Sequence, residues 1–152
     1  MEVTVIRHGT AEDRARSDAD RALTAVGRAE AEAAGDRVAA MGAPVDSIIA
    51  SPYLRARQTA ELVAGRLGFL GEVAVDEALG PDESPAGVCE LLAGLSGRHH
   101  VILVAHEPIL SATCELLLRK PVASLGRAEV LSMGSSSPHS FHPSDFELRF
   151  RS

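Results

Sequence analysis

Three short apolar runs in this chain each break off into a charged or turn-forming cluster, and that repetition limits the folds open to it. Val3-Thr4-Val5-Ile6 leads into Arg7-His8-Gly9, and Ser47-Ile48-Ile49-Ala50 into Ser51-Pro52-Tyr53-Leu54-Arg55. Val101-Ile102-Leu103-Val104-Ala105 leads into His106-Glu107-Pro108. The third run is continuously apolar, as expected of a strand buried on both faces. Helical patterns lie between the runs, and this β-α alternation predicts a three-layer α/β/α sandwich with a mostly parallel sheet. In such sheets ligands sit beyond the carboxyl ends of the strands, so the three clusters are expected to converge on one pocket.

The remaining elements follow from local signals. Thr10 to Arg21 is polar and reads as an exposed loop; Asp13, Asp18 and Asp20 there lack the glycine and terminal glutamate of an EF-hand, so they read as a solvated acidic face. Thr24 is the expected N-cap of an alanine-rich helix through Met41, with Leu23 as hydrophobic staple and Gly42 and Pro44 as the stop. Ser51 is the expected N-cap of a second helix, with Pro52 at an early position and the end near Leu67. Val73-Ala74-Val75 reads as a short strand, Pro81 to Pro85 as a turn, and Ala86 to Leu95 as a helix. His99 and His100 read as loop residues before the third run, and Pro108 opens a helix through Leu118. Glu129 to Met133 and Phe146 to Phe150 read as two last strands around a polar hairpin, Gly134 to Ser144.

The whole chain, residues 1–152, fits one domain. Aromatic content is 3% with no Trp, so the core must be built from Ala, Val and Leu. A net charge of −6 argues against a nucleic-acid binder, which would carry a basic face. No apolar run approaches the roughly 20 residues needed to span a bilayer, and strand-like residues begin at Val3 in place of a signal segment. No membrane association and a cytoplasmic location are therefore expected. Cys89 and Cys114 lack metal or disulfide spacing and read as buried structural thiols. His99, His100, His139 and His142 show no ligand pattern, and no metal or other cofactor is expected.

The three clusters supply two arginines and two histidines. Phosphoryl transfer needs cations around the transferring oxygens and an in-line nucleophile. A planar guanidinium binds two phosphate oxygens at once, which suits Arg7 and Arg55. An imidazole with one unprotonated nitrogen can attack phosphorus, and neighbouring positive charge keeps it neutral, which suits His8. His106 can donate a hydrogen bond to the developing charge. A lone Arg-His-Gly recurs by chance; three such clusters at successive strand ends do not.

Arg7-His8-Gly9, the block Ser51-Pro52-Tyr53-Leu54-Arg55-Ala56-Arg57-Gln58-Thr59 and His106-Glu107-Pro108 resemble the signature of the histidine phosphatase superfamily, with its phosphoglycerate mutase-like fold. Arg21, Leu23-Thr24 and Gly27 resemble a further element of that signature, and the likeness spans roughly residues 1 to 135. Short length and the lack of a lid insertion are most similar to bacterial SixA-type phosphohistidine phosphatases. The resemblance implies a transient phospho-His8, with Arg7, Arg55 and His106 holding the phosphoryl group and Gly9 and Arg21 joining them in substrate binding. Many phosphomonoesterases of the superfamily also carry an acidic proton donor after the second helix. Glu77, Asp82 and Glu83 fall in that region, but none sits in a recognisable donor motif.

That departure tilts the reading toward P–N cleavage. A histidine imidazole leaves with a conjugate-acid pKa near 6.5, whereas an alkoxide needs protonation in the transition state. The expected function is hydrolysis of phosphohistidine on a protein, such as a histidine phosphotransfer domain. The alternatives are a small-molecule phosphomonoesterase acting on a phosphorylated metabolite, and a non-catalytic phosphate-binding interaction module. The module has no need of a nucleophile, and nothing resembles the added segments of a mutase.

Overall fold

A computed structural model describes residues 1–137 and 141–152. Six strands form one sheet: β1 (Glu2–Arg7), β2 (Ser47–Ala50), β3 (Ala74–Val75), β4 (His100–Ala105), β5 (Val130–Ser135) and β6 (Phe146–Arg151). Their spatial order is β3-β2-β4-β1-β5-β6. The first four are mutually parallel, and β5 and β6 add an antiparallel edge. The expected hairpin joining β5 and β6 lies partly, and His139 wholly, outside the described residues.

Four helices cover the two faces: α1 (Ala25–Ala40), α2 (Leu54–Leu67), α3 (Pro85–Gly94) and α4 (Ile109–Leu118). Val3, Val5, Val101, Leu103, Leu131 and Met133 face α3 and α4, where Val88, Leu92, Leu110, Cys114 and Leu117 complete one core. Ile6, Ile48, Ile102, Val104 and Val130 face α1 and α2, packing on Ala34, Val38, Ala56, Ala60 and Val63. Strand side chains alternate between these cores, which is the three-layer sandwich the sequence predicts. Small side chains on α1 and α2 let the two helices approach closely. Phe146 is the one aromatic buried among the described residues, in line with the composition. No helix among these residues is long and apolar enough to cross a membrane.

Local signals hold where a side chain meets its own backbone. The Thr24 hydroxyl accepts from the Gly27 amide at 2.9 Å, and Ser84 caps α3 in the same way through Gly87 at 3.2 Å. Ser51 departs from its expected role: α2 starts at Leu54, and Tyr53 holds the cap position without a side-chain bond. The Ser51 hydroxyl turns instead toward His106, so a long-range partner has outcompeted the helix end. His100 also departs from expectation. It is the first residue of β4, only 2% exposed, and hydrogen-bonds Thr4 Oγ1 through Nε2 at 2.8 Å. Thr4 Oγ1 in turn donates to Ser132 Oγ at 3.1 Å, so one ring nitrogen of the buried histidine is partnered while Nδ1 has no hydrogen-bond partner among the described residues. Cys114 is fully buried, and burial pushes its thiol up to about 12, as a structural cysteine requires.

The turn after β1 is fixed by close backbone approach. A Cβ on Gly9 would lie 2.5 Å from the Gly27 carbonyl oxygen, and one on Gly27 would strike the Thr10 carbonyl. Gly9 has no left-handed φ, so it is there for space and not for the turn the sequence suggests. Gly27→Ala should push α1 away from the residue pair that follows His8. Overpacking of this kind costs about 1–3 kcal/mol, to be read as a lowered midpoint in urea denaturation.

Candidate active site

Strand register brings the three clusters together. Arg7 pairs with Ala105 across β1 and β4, and Ala50 pairs with Val104 across β2 and β4, so the three strands end within a residue of one another. The His8 amide donates to the Ala105 carbonyl at 3.0 Å and the Ser51 amide to the Val104 carbonyl at 2.9 Å. Beyond these ends lies a cleft of about 360 Å³, lined by Arg7, His8, Arg21, Arg55, His106 and Arg127 among others.

The His8 ring is bonded at both nitrogens. Nδ1 lies 2.7 Å from the Gly9 carbonyl, which can only accept, so Nδ1 carries the proton. Arg55 Nε–H donates to Nε2 at 3.3 Å, which requires a lone pair there. The tautomer is thereby fixed with Nε2 as the unprotonated nitrogen. Burial, with the Arg55, Arg7 and Arg21 charges, pushes the His8 pKa down to about 4 against the opposing Gly9 bond.

His106 is 2% exposed, with its ring centroid 5.1 Å from that of His8. Its Nε2 lies 2.7 Å from Ser51 Oγ, which also accepts from the Tyr53 amide at 3.3 Å. The other ring nitrogen of His106, Nδ1, is buried without a protein partner among the described residues. Burial, with the charges of His8 and Arg55, lowers the His106 pKa to about 3. Tyr53 closes the group: its ring meets His106 edge-on at 5.2 Å, and the Arg55 guanidinium lies 5.0 Å from the ring centroid.

Arg7 is anchored by Nη1 donating to the Leu125 carbonyl at 2.8 Å. Arg55 is 6% exposed despite its charge. Its Nη1 and Nη2 bond the Asp18 carbonyl and carboxylate at 2.8 and 3.2 Å. Arg21 lines the cleft while spending its Nη1 on Asp18 at 2.8 Å and its Nε on the Glu12 carbonyl at 2.6 Å. Gly9 is buried and its amide donates to Thr59 Oγ1 at 3.1 Å, so it offers the cleft no donor. Glu77, Asp82 and Glu83 are exposed and do not line the cleft; Pro81 does. The carboxylates that do line it are Asp13, on the exposed loop, and Glu107, whose oxygens accept from the Ser111 amide and hydroxyl at 3.3 and 2.6 Å. Among the described residues no three metal-ligating side chains converge.

The structure brings together the four residues the sequence singled out, Arg7, His8, Arg55 and His106; the sequence did not single out the supporting contacts of Ser51, Tyr53 and Asp18, or Arg127 in the cleft lining. Ser51 and Tyr53 were in view inside the Ser-Pro-Tyr-Leu-Arg block, where the proline drew the helix-start reading. Asp18 sits in a loop whose charges alternate in sign, and only contact with Arg55 sets it apart. Arg127 carries no sequence signal.

The lowered pKa values give a testable pH response. Below about pH 6.5 an unfolded chain protonates its histidines, while folded His8 stays neutral to about 4 and His106 to about 3. The unfolded state binds more protons in this window, so stability should be full near pH 7 and fall as pH drops from 6.5 toward 4. Urea midpoints across that range, with NMR titration of the two rings, check both halves. Ring midpoints near 6.5 would contradict the buried, cationic setting.

The family model for the histidine phosphatase superfamily (branch 1) matches residues 3–90. An uncharacterized protein of the cyanobacterium Picosynechococcus sp. is 35% identical over 122 residues, covering 77% of this chain and 73% of that protein. The phosphohistidine phosphatase SixA of Escherichia coli K12 is 30% identical over 112 residues, covering 72% and 70% of the two chains. The solved structure of a protein histidine phosphatase SixA complexed with tungstate superposes with a TM-score of 0.89 at 23% identity, over 99% of this chain and 96% of that one. The phosphoglycerate mutase-like sandwich, the converged strand ends and these likenesses agree: the chain belongs to the histidine phosphatase superfamily, is similar to its SixA members, and is a phosphatase.

Proposed function

We propose that the protein hydrolyses phosphohistidine on a partner protein, such as a histidine phosphotransfer domain in the cytoplasm, through a covalent phospho-His8 intermediate. The observation that carries this is the fixed His8 tautomer: an unprotonated Nε2 faces the Arg55 guanidinium at 3.3 Å beside Arg7 and His106. The Nε2 lone pair attacks phosphorus, the P–N bond to the substrate imidazole breaks, and the departing nitrogen takes a proton from solvent. Water then forms a new O–P bond as the P–Nε2 bond breaks, releasing inorganic phosphate and restoring His8. Arg7 and Arg55 neutralise the equatorial oxygens, and His106 donates a hydrogen bond to one of them.

The substrate class is supported by the carboxylates. Glu77, Asp82 and Glu83 stand away from the cleft; of the two carboxylates that line it, Glu107 is bonded to Ser111 and Asp13 sits on the exposed loop. An ester oxygen leaves poorly without a positioned acid, whereas an imidazole does not need one. Likeness to SixA of Escherichia coli, named a phosphohistidine phosphatase, supports the same choice.

A phosphate-release panel of a phosphohistidine protein, phosphoramidate, sugar phosphates and nucleotides tests the reading. Release should favour the P–N substrates, and a trapped phospho-enzyme should be acid-labile and map to His8. Preference for sugar or nucleotide esters would move the assignment to a small-molecule phosphomonoesterase; binding without turnover would leave an interaction module. Arg55→Lys keeps charge but loses the planar fork, so kcat/KM should drop by about tenfold or more; steady-state kinetics on phosphoramidate give that value.

A further inference from the structure

The loop between β1 and α1 is stitched to itself and to Arg55. Glu12 donates its amide to the Ala22 carbonyl at 2.8 Å, Ala11 bridges Leu23, and Arg21 spans from Glu12 to Asp18. These bonds deliver Asp18, in the 3₁₀ turn Asp18–Asp20, onto the far edge of the Arg55 guanidinium. A guanidinium presents two forks: the terminal edge, Nη1 with Nη2, and the side edge, Nε with Nη2. Asp18 fills the terminal edge with its carbonyl on Nη1 and its carboxylate on Nη2. The side edge points at His8, where Nε already donates to Nε2. Each terminal nitrogen has two protons, so Nη2 bonds Asp18 and keeps one N–H for the side edge.

We infer that Asp18 is a positioning residue that clamps the terminal edge of Arg55 so that its Nε–Nη2 edge receives the phosphoryl group at His8. Without that clamp, Arg55 is oriented only by its Nε bond to His8 and by the Tyr53 ring, and the terminal edge of its guanidinium is no longer held. Arg21 acts at one remove, fixing the Asp18 carboxylate through Oδ1 while Oδ2 serves Arg55. A rival role follows from the same contacts, in which the carboxylate is an internal anion that the substrate must displace. The two roles differ in sign. A clamp strengthens phosphate binding and a plug weakens it.

The role rests on phosphoryl binding at His8 and not on which leaving group is attached, so inorganic phosphate is the probe. Its affinity is measured by calorimetry on the full chain for wild type, Asp18→Ala and Asp18→Asn, alongside kcat/KM for phosphoramidate and thermal midpoints. Removing a charge-assisted bond should weaken phosphate binding by roughly tenfold in Asp18→Ala and lower kcat/KM at least as much. Asp18→Asn keeps an oxygen for Nη2 and should recover part of both. The Asp18 side chain is 57% exposed, so both variants should melt within a few degrees of wild type. Phosphate binding that tightens or stays unchanged in Asp18→Ala overturns the clamp. Equal losses in both variants, tracking a fall in melting temperature, also overturn it by making the loop merely structural. If wild type prefers esters to phosphoramidate, the phosphohistidine reading fails while the phosphate comparison still decides Asp18.

Discussion

The His8 imidazole sits between two partners that act on opposite nitrogens, and the rest of the site is arranged around that pairing. The Gly9 carbonyl holds the proton on Nδ1, and the Arg55 guanidinium faces the lone pair on Nε2. Just beyond that carbonyl, Gly9 and Gly27 let two backbones come into direct contact. Burial and cationic neighbours then keep the ring neutral far below the usual imidazole range. Packing, backbone path and electrostatics thus favour one protonation state of one atom.

The arginines illustrate how an acidic protein concentrates positive charge. Arg7, Arg21, Arg55 and Arg127 line a single cleft in a chain of net charge −6. A nearly buried guanidinium such as Arg55 would be costly if left unpaired, and the Asp18 carboxylate and carbonyl offset that cost. The pairing turns the other fork of the guanidinium toward His8, so in the proposed reading charge compensation and phosphate binding use different edges of the same group.

His8 and His106 are both neutral near physiological pH, and each ring is held by a neighbour. The Gly9 carbonyl keeps the His8 proton on Nδ1. Ser51, at the end of β2, holds the His106 ring through Nε2. The meeting of the two rings therefore depends on register between β1, β2 and β4 as much as on the residues themselves.

The sequence by itself determined the layered α/β class, the strand ends and the four central residues. Strand hydrophobicity, Thr24 capping and the Arg-His-Gly, Ser-Pro and His-Glu-Pro clusters are local signals whose physics is complete within a few residues. The family likeness was legible for the same reason, because its motifs are contiguous. Tertiary structure alone decided what Ser51, His100, Gly9 and Asp18 do. Ser51 has the residue type of a helix cap but a better partner 55 positions away, and His100 enters the core because Thr4 waits across the sheet. Asp18 reads as one more solvated acid until Arg55, 37 residues on, is folded against it. A side chain with several possible partners is assigned by whichever lies nearest after folding, and that distance is a property of the packed chain, not of its local sequence.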